Sequence, residues 1–250
     1  ALLVRLGDLR LEGDDAFQSV VYLSHDRSLG TPSRDAARVE GMDLAALRQE
    51  YGRAGLVEGD LAADPVAMFE RWMADSVEAG LHEPNAMVLA TVDAAGSPSS
   101  RMLLLKGLRD GEFVFFTNTG SRKGLELAAN PRCAMLFPWH PLERQVRVEG
   151  VATPLPRADV EAYFATRPRG SKLGAWASPQ SRVTTREKLA GAYEAAEARY
   201  PDEVPVPDEW GGYAVRPEVV EFWQGRPGRM HDRLVYRRVD GGWETERLAP

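Results

Sequence analysis

The chain of 250 residues has very little cysteine, and with Cys133 alone no internal disulfide can form. One thiol and four scattered histidines (His25, His82, His140 and His231) lack ligand-like spacing, which argues against a structural zinc site. No apolar run approaches the roughly 20 residues that a membrane-spanning helix requires, and the first residues show no signal-peptide pattern. We therefore expect a cytoplasmic globular protein with no metal and no membrane partner.

Lysine is also scarce, because only Lys106, Lys123, Lys172 and Lys188 occur among the 31 basic residues. The planar guanidinium of arginine suits phosphate oxygens, although a GC-rich coding sequence gives the same bias. The net charge is −6, yet residues 101–172 carry +5. An acidic protein with a basic middle argues against nucleic acid as a partner and favours a local pocket for a small anion.

Residues 1–41 differ in character from the rest of the chain. They include a polar stretch with Gly30 and Pro32, which predicts an atypical and partly disordered N-terminal extension. Residues 42–250 are predicted to form the main domain. The composition, with 44% hydrophobic and 27% charged residues, is sufficient for a sizeable core.

Short strands outnumber long helices in the main domain. The hydrophobic pattern and the capping residues predict helices over 43–51, 65–79, 121–129, 157–166 and 184–200. Alternation and turn signals predict strands over 86–92, 101–108, 112–117, 132–139, 145–153, 212–215, 219–223, 234–238 and 243–248. This order favours a mainly β fold with flanking helices (α+β), an antiparallel barrel rather than a doubly wound sheet.

The segment 117–124 (TNTGSRKG) joins a strand to a helix that Ser121 can cap. A helix N-terminus offers free N–H groups and a positive dipole to phosphate, and Arg122 and Lys123 add two charges there. The same residues also fit an ordinary capped helix with a solvated basic pair. The spacing is not that of a P-loop.

Two further segments contain several cationic residues. Arg101 and Lys106 bracket an apolar strand, a weak signal because residues five apart point to opposite faces. The segment 167–172 (RPRGSK) reads as a loop that could hold a phosphomonoester, or as a solvated basic loop. Arg167 follows Tyr163 by one helical turn, so both could face one ligand.

Near the C-terminus, Arg229, His231 and Arg233 would share one face of an extended run. Three cationic or switchable groups without acids on that face call for an anionic partner or for solvent, and a lone histidine is usually structural. A Ser–His–Asp nucleophile is excluded, because Asp232 adjoins His231 and would point away from it.

Taken together, these segments resemble the pyridoxamine 5′-phosphate oxidase family. The resemblance covers about residues 42–250. It rests on RQEY at Arg48–Tyr51, DP with FERW from Asp64 to Trp72, EPNAMVLATV at Glu83–Val92, RMLLLK at Arg101–Lys106, FFTNTGSRK at Phe115–Lys123, FPWHPLERQVRVEG at Phe137–Gly150, RPRGSKLGAWASPQS at Arg167–Ser181, WGGY at Trp210–Tyr213, EFWQG with RMHDR from Glu221 to Arg233, and RLAP at Arg247–Pro250.

The resemblance implies a split β-barrel homodimer that binds flavin mononucleotide (FMN) at the subunit interface. The residues it implies for the flavin, some from the partner subunit, are Arg101, Met102, Leu103, Leu104, Leu105, Lys106, Phe116, Thr117, Arg122, Lys123, Gln145, Gln180, Ser181, Trp223 and Arg233.

For the substrate, the resemblance implies that Tyr163, Arg167 and Ser171 hold a phosphate group. Lys106, Arg229 and His231 would surround the pyridine ring, with Arg229 and His231 as the catalytic pair that positions the reacting carbon. Arg48 and Tyr51 would close over the ring as a lid.

The implied reaction is the oxidation of pyridoxamine or pyridoxine 5′-phosphate to pyridoxal 5′-phosphate, in vitamin B6 biosynthesis and salvage. Oxygen is the acceptor and becomes hydrogen peroxide, and the flavin carries the redox chemistry. Phe116 departs from the family pattern, in which many members carry tyrosine. Two alternatives remain: another flavin oxidoreductase on the same barrel, and a non-catalytic carrier of pyridoxal phosphate or flavin.

Overall fold

A computed structural model describes residues 50–52 and 55–250. The predicted extension over 1–41 and the body of the predicted helix over 43–51 lie outside these residues. The described strands are β1 Ala86–Val92, β2 Pro98–Leu104, β3 Gly107–Arg109, β4 Glu112–Asn118, β5 Arg132–Trp139, β6 Arg144–Pro154, β7 Trp210–Gln224, β8 Asp232–Val239 and β9 Gly242–Arg247. The described α-helices are α1 Pro65–Glu78, α2 Arg122–Ala129, α3 Arg157–Ala165, α4 Arg169–Ala177 and α5 Arg186–Arg199.

The nine described strands form one antiparallel sheet in the order β2-β1-β5-β6-β7-β4-β3, to which β8 adds on β7 and β9 on β8. The sheet is curled, as the position of α2 shows. This helix follows β4, near one end of the strand order, and packs on β1, near the other end. This curl brings side chains of β2 beside the start of α2. The architecture is the mainly β arrangement with flanking helices that the sequence predicts.

Helix α1 supplies much of the core. Asp64 caps it by accepting from the Val66 N–H at 2.9 Å, and Pro65 occupies the first turn, where its missing N–H costs nothing. The Phe69 ring lies inside the curled sheet, with its centroid 5.0 Å from Phe113 and 4.8 Å from Phe137. Burial of these rings fixes the helix against the sheet.

Strand β7 is one element of 15 residues where two strands were predicted over 212–215 and 219–223. The two predicted strands leave out residues 216–218, which include Pro217, a residue without an N–H to donate to a ladder. The structure absorbs this proline through a bulge in β7, where Glu218 has no partner between Val219, opposite Glu149, and Pro217, opposite Gly150 of β6. Gly150 is required there, because a Cβ would lie 2.2 Å from the Arg216 carbonyl oxygen.

The predicted strand over 101–108 is interrupted. Strand β2 ends at Leu104, and β3 begins at Gly107. In the interval the chain changes partners: the Leu105 N–H donates to the Asn85 carbonyl, and the Lys106 N–H donates to the Val114 carbonyl of β4. Lys106 therefore lies at a corner of the sheet and not within a regular strand.

Three other local predictions were wrong. The segment 167–172 is not a loop throughout, because α4 begins at Arg169, directly after Pro168. Arg229 is not in an extended run with His231, because Pro227–Arg229 is a 3-10 turn and β8 begins at Asp232. Tyr51 is in irregular backbone rather than helix, and the neighbouring Gly52 N–H donates to the Glu143 carboxylate at 3.1 Å.

No helix in the described part of the chain is long and apolar enough to cross a membrane. Across residues 50–52 and 55–250, no group of three or more His, Cys, Asp or Glu side chains is placed to hold a metal ion. The Cys133 side chain is buried, and this burial raises the pKa of its thiol to about 12.

Candidate active site

The first of three clusters lies at the start of α2, where β4 ends. Ser121 caps the helix, and the Lys123 ammonium donates to Thr117 Oγ1 at 3.0 Å, Ser121 Oγ at 3.1 Å and Gln180 Oε1 at 3.0 Å. Lys123 is only 5% exposed. Burial, with the nearby charge of Arg101, lowers the pKa of Lys123 to about 8. A buried cation therefore stands at a helix N-terminus.

Glu126 links two predicted phosphate-binding arginines. Its carboxylate accepts from Arg122 Nε at 2.7 Å and from Arg101 Nη2 at 3.2 Å. Burial disfavours the charged form of Glu126, which is 4% exposed, but hydrogen bonds from Ser99, Thr91, Arg122 and Arg101 outweigh it and lower its pKa to about 2. Arg101 and Arg122 thus share one ionised partner.

This first cluster has the charge balance of an anion site. Three cations (Arg101, Arg122 and Lys123) face one carboxylate, and the repulsion between Arg101 and Lys123 contributes to the lowered pKa of Lys123. An anion would relieve that repulsion. A surface cleft of about 760 Å³ adjoins the cluster, and its lining includes Arg122, Glu126, Gln180 and Ser181. A flavin phosphate fits this donor set.

The second cluster lies between β4, α3 and the start of α4. The rings of Phe116 and Tyr163 stack, and the Arg167 guanidinium carbon lies 4.0 Å above the ring of Trp210. Burial lowers the pKa of Lys106, and the charge of Arg167 lowers it further. Burial raises the pKa of the Tyr163 hydroxyl, against the opposing effect of Arg167.

Two buried donors in the second cluster have no hydrogen-bond partner among the described residues: Arg167 Nη1 and Trp210 Nε1. Buried donors are nearly always paired in proteins, so these two call for an acceptor-rich ligand. Ser171 lies in the first turn of α4, where backbone N–H groups also lack intrahelical partners. The second cluster can therefore bind a second anion.

The third cluster forms a row across three strands. Gln145 of β6 lies opposite Trp223 of β7, which lies opposite Arg233 of β8. Directly opposed residues project from the same face of a sheet, so the three side chains share one surface. The Arg233 guanidinium makes a two-point pair with Glu221, at 2.8 and 3.0 Å. The expectation of a face without acidic partners is therefore wrong for Arg233.

Aromatic contacts extend this row to His231 and Tyr51. The His231 ring lies 4.6 Å from the Trp223 ring and 5.6 Å from the Tyr51 ring. His231 Nδ1 accepts from the Arg226 N–H at 3.2 Å, which places the ring proton of the neutral form on Nε2. Partial burial and the charge of Arg229 lower the pKa of His231. Arg229 itself is exposed, with a φ of 62°.

Comparison with known proteins decides the family. Residues 73–209 match the family model described as pyridoxamine 5′-phosphate oxidase, and residues 210–250 match the pyridoxine 5′-phosphate oxidase C-terminal dimerisation region. The chain belongs to the pyridoxamine 5′-phosphate oxidase family.

Individual relatives within this oxidase family are close. The chain is 72% identical over 210 residues to a pyridoxine/pyridoxamine 5′-phosphate oxidase of Nocardioides sp., a match that covers 84% of this chain and 99% of the relative. It is 55% identical over 210 residues to the protein of that name from Rubrobacter xylanophilus, with 83% and 97% covered.

Two solved structures confirm the fold class. PhzG from Burkholderia lata 383, in complex with tetrahydrophenazine-1-carboxylic acid, is 30% identical with a TM-score of 0.74, over 77% of this chain and 95% of that one. A pyridoxamine 5′-phosphate oxidase-related, FMN-binding protein of Nostoc punctiforme shares the fold at 20% identity and a TM-score of 0.64, over 76% and 100%. The predicted split barrel is confirmed.

Five predicted site residues are not part of the three clusters. Arg48 lies outside the described residues. The Met102 side chain is 66% exposed, and Leu103 and Leu104 are half-buried. Leu105 is in the core, and its N–H and carbonyl both pair with Asn85, so its side chain does not face a ligand.

Sequence reasoning missed two residues of the clusters. Glu126 follows Arg122 by four residues on one helix, a spacing that could have indicated the ion pair. Its contact with Arg101 had no local signal, since β2 and α2 meet only through the curl of the sheet. Trp210 likewise lies 43 residues from Arg167, and only the fold brings them together.

Proposed function

We propose that the protein oxidises pyridoxamine 5′-phosphate and pyridoxine 5′-phosphate to pyridoxal 5′-phosphate, with FMN as its cofactor and O2 as the acceptor that becomes H2O2. One observation carries this proposal: two separate groups of partly buried cationic side chains, one around Lys123 and one around Arg167, are each suited to an anion. Two phosphate-bearing ligands, a cofactor and a substrate, require two such sites. The 72% identity to a named pyridoxine/pyridoxamine 5′-phosphate oxidase supports the same assignment.

In this proposal, the first cluster holds the FMN phosphate through Arg101, Arg122, Lys123 and Ser181, with Thr117 and Gln180 orienting the Lys123 ammonium. When bound there, the flavin would supply the redox chemistry, with the substrate as hydride donor and oxygen as electron acceptor. The remaining residues assigned to the flavin are Met102, Leu103, Leu104, Lys106, Phe116, Gln145, Trp223 and Arg233, without Leu105, whose side chain lies in the core.

The second cluster holds the substrate phosphate. Arg167 has an unpaired buried Nη1 donor, and Tyr163 and Ser171 add hydroxyl groups from the neighbouring helices. Lys106 contributes a second positive charge, since its pKa responds to the charge of Arg167. Anchoring the phosphate fixes one end of the substrate, which reduces the entropy that must be lost to align the reacting carbon.

Arg229 and His231 orient the pyridine ring. The lowered pKa of His231 favours the neutral ring near pH 7, with the proton held on Nε2 as a donor. Arg229 has a left-handed backbone, a strained conformation that clusters at functional sites. Tyr51 packs on His231 and Trp223, and together with Arg48 it would cover the ring.

The active form in this proposal is a homodimer, with each flavin held between two copies of the chain. Residues 210–250 match a dimerisation region. Met102 follows Arg101 and Leu125 precedes Glu126 in the first cluster, and their side chains are 66% and 61% exposed. A second copy of the chain would cover such apolar side chains. Gln145, Trp223 and Arg233 would then face a flavin together with the partner's first cluster.

An anaerobic reduction experiment tests the function. The purified protein should show a flavin absorbance spectrum that bleaches on addition of pyridoxamine 5′-phosphate, then recovers in air as pyridoxal 5′-phosphate and H2O2 form. A flavin that binds but stays oxidised with both phosphorylated substrates would contradict the proposal and favour another oxidoreductase on this barrel. Failure to bind FMN after reconstitution would favour a carrier of pyridoxal phosphate.

A further inference from the structure

We propose that Trp210 is a positioning residue for the substrate phosphate: its indole face holds the Arg167 guanidinium in the orientation that the phosphate requires. This inference rests on the proposed function, in which Arg167 binds that phosphate. The decisive contact is the 4.0 Å distance between the Arg167 guanidinium carbon and the centre of the Trp210 ring.

Arg167 lies on an aromatic surface made by two rings. Besides Trp210, the Phe164 ring centre is 5.5 Å from the guanidinium carbon, and the two rings meet edge to face at 5.9 Å. Tryptophan is the strongest cation–π partner among the aromatic side chains, and arginine stacks on it with its planar fork free at the edge. The rings therefore restrict how the guanidinium can turn without occupying its donors.

The unpaired donor of Arg167 supports a role in binding a ligand. Arg167 Nη1 is buried and has no hydrogen-bond partner within the described structure. Burial also lowers the pKa of Arg167, so its charge is partly desolvated, and no carboxylate in the described part of the chain pairs with it. A phosphate, which offers several acceptors and negative charge, meets both needs.

The backbone that carries Trp210 is anchored independently of its ring. Arg157 donates to the carbonyl oxygens of Val206 at 3.0 Å, Pro207 at 3.1 Å and Trp210 at 3.2 Å. Trp210 also opposes Asn118 at the start of the β4–β7 ladder. A change of the Trp210 side chain should therefore remove the ring from Arg167 while β7 keeps its position.

The experiment compares W210F and W210L in the FMN-loaded enzyme. Loss of the aromatic face should raise the KM for pyridoxamine 5′-phosphate by about tenfold in W210L, with kcat at saturation within about twofold of the parent. W210F retains a ring and should recover most of this loss. Dissociation constants for pyridoxal 5′-phosphate should rise in parallel, whereas those for pyridoxal, which lacks the phosphate, should not change.

Trp243 provides a matched control, because the Arg238 guanidinium carbon lies 4.4 Å above its ring, in the β8–β9 hairpin. W243L should leave the KM unchanged. An unchanged KM in W210L, or an equal loss of pyridoxal and pyridoxal 5′-phosphate affinity, would overturn the inference. If W210L does not fold, W210F decides by itself through a smaller, phosphate-specific rise in KM. Absence of turnover in the parent enzyme would instead refute the proposed function.

Discussion

The rings of Phe116 and Tyr163 are stacked face to face, with centroids 3.8 Å apart and planes 9° from parallel. This contact joins the end of β4 to α3. The Phe116 ring also packs against the backbone of Gly212 in β7, where a Cβ would lie 2.7 Å from the ring. Phe116 therefore fixes the ring of Tyr163, the residue proposed to bind the substrate phosphate, in addition to its own proposed contact with the flavin.

The stack predicts the effect of changing Phe116. F116L should raise the KM for pyridoxamine 5′-phosphate by about three- to tenfold, since an aromatic pair contributes about 0.5–1.5 kcal/mol beyond its buried area. F116Y keeps the ring and should retain a KM close to that of the parent. Steady-state kinetics of the two variants check this, and an unaltered KM in F116L would show that the stack does not position Tyr163.

Glu126 should be important for stability. E126A leaves Arg101, whose side chain is 19% exposed, without its ionised partner, and we expect a loss of about 2–3 kcal/mol in the free energy of unfolding. Urea denaturation of the apoprotein measures it. E161Q removes an exposed pair with the same i,i+4 spacing as Arg122 and Glu126, and it should cost about 0.5 kcal/mol or less. Equal losses in the two variants would contradict the role given to Glu126.

Flavin affinity should depend on pH through Lys123. Its pKa of about 8 in the folded protein lies below the ordinary 10.5, so the ammonium loses its proton as the pH rises above 8 and attracts the FMN phosphate less. The dissociation constant of the apoprotein for FMN should rise by up to about tenfold per pH unit above that value. Fluorescence titration measures it, and K123R should abolish this rise because arginine stays charged.

The lowered pKa of Lys123 has the opposite effect on stability: it makes the free energy of unfolding rise with pH, whereas FMN affinity falls. Between pH 8 and 10.5 the unfolded chain binds more protons at Lys123 than the folded protein does. The contribution of Lys123 to the stability of the apoprotein therefore increases as the pH rises through that window.

If K123R and the parent had the same pH profile of FMN affinity, the lowered pKa would have no part in flavin binding.

Arg122 should contribute to flavin retention. Its Nε donates to Glu126, which leaves its terminal nitrogens for a phosphate. R122A should weaken FMN binding by about tenfold, the effect of losing one hydrogen bond from a charged group, and should lower the flavin content after purification. R132A removes a surface arginine paired with Glu218 and serves as the control. Equal flavin content in both variants would exclude Arg122 from the phosphate site.

Arg229 should affect turnover and leave flavin bound. R229A should lower kcat/KM by at least about tenfold, through loss of the charged contact with the substrate ring. Because the φ of Arg229 is 62°, an alanine at this position is strained. R229G is the better probe, because it removes the same side chain and glycine adopts this φ without strain. Full activity of R229G at normal flavin content would remove Arg229 from the site.

Much of the fold was predictable because its signals are local. The strands 86–92 and 132–139 match β1 and β5 residue for residue, and the caps at Asp64 and Ser121 start α1 and α2 as predicted. The errors occurred where a distant contact overrides a local signal. Pro217 marks a strand end by itself, but β7 continues through it with a bulge at Glu218. Pro168 indicates a loop, yet it stands where a helix begins.

The sequence by itself determined the family, the mainly β fold class and the residues proposed to bind phosphate, whereas helix α4 was not predicted from it. Only the tertiary structure decided which of these residues act together. Glu126 joins Arg101 to Arg122, and Trp210 meets Arg167, because a curled antiparallel sheet places residues far apart in the chain side by side. Such contacts depend on strand register and sheet curvature, which no local pattern encodes.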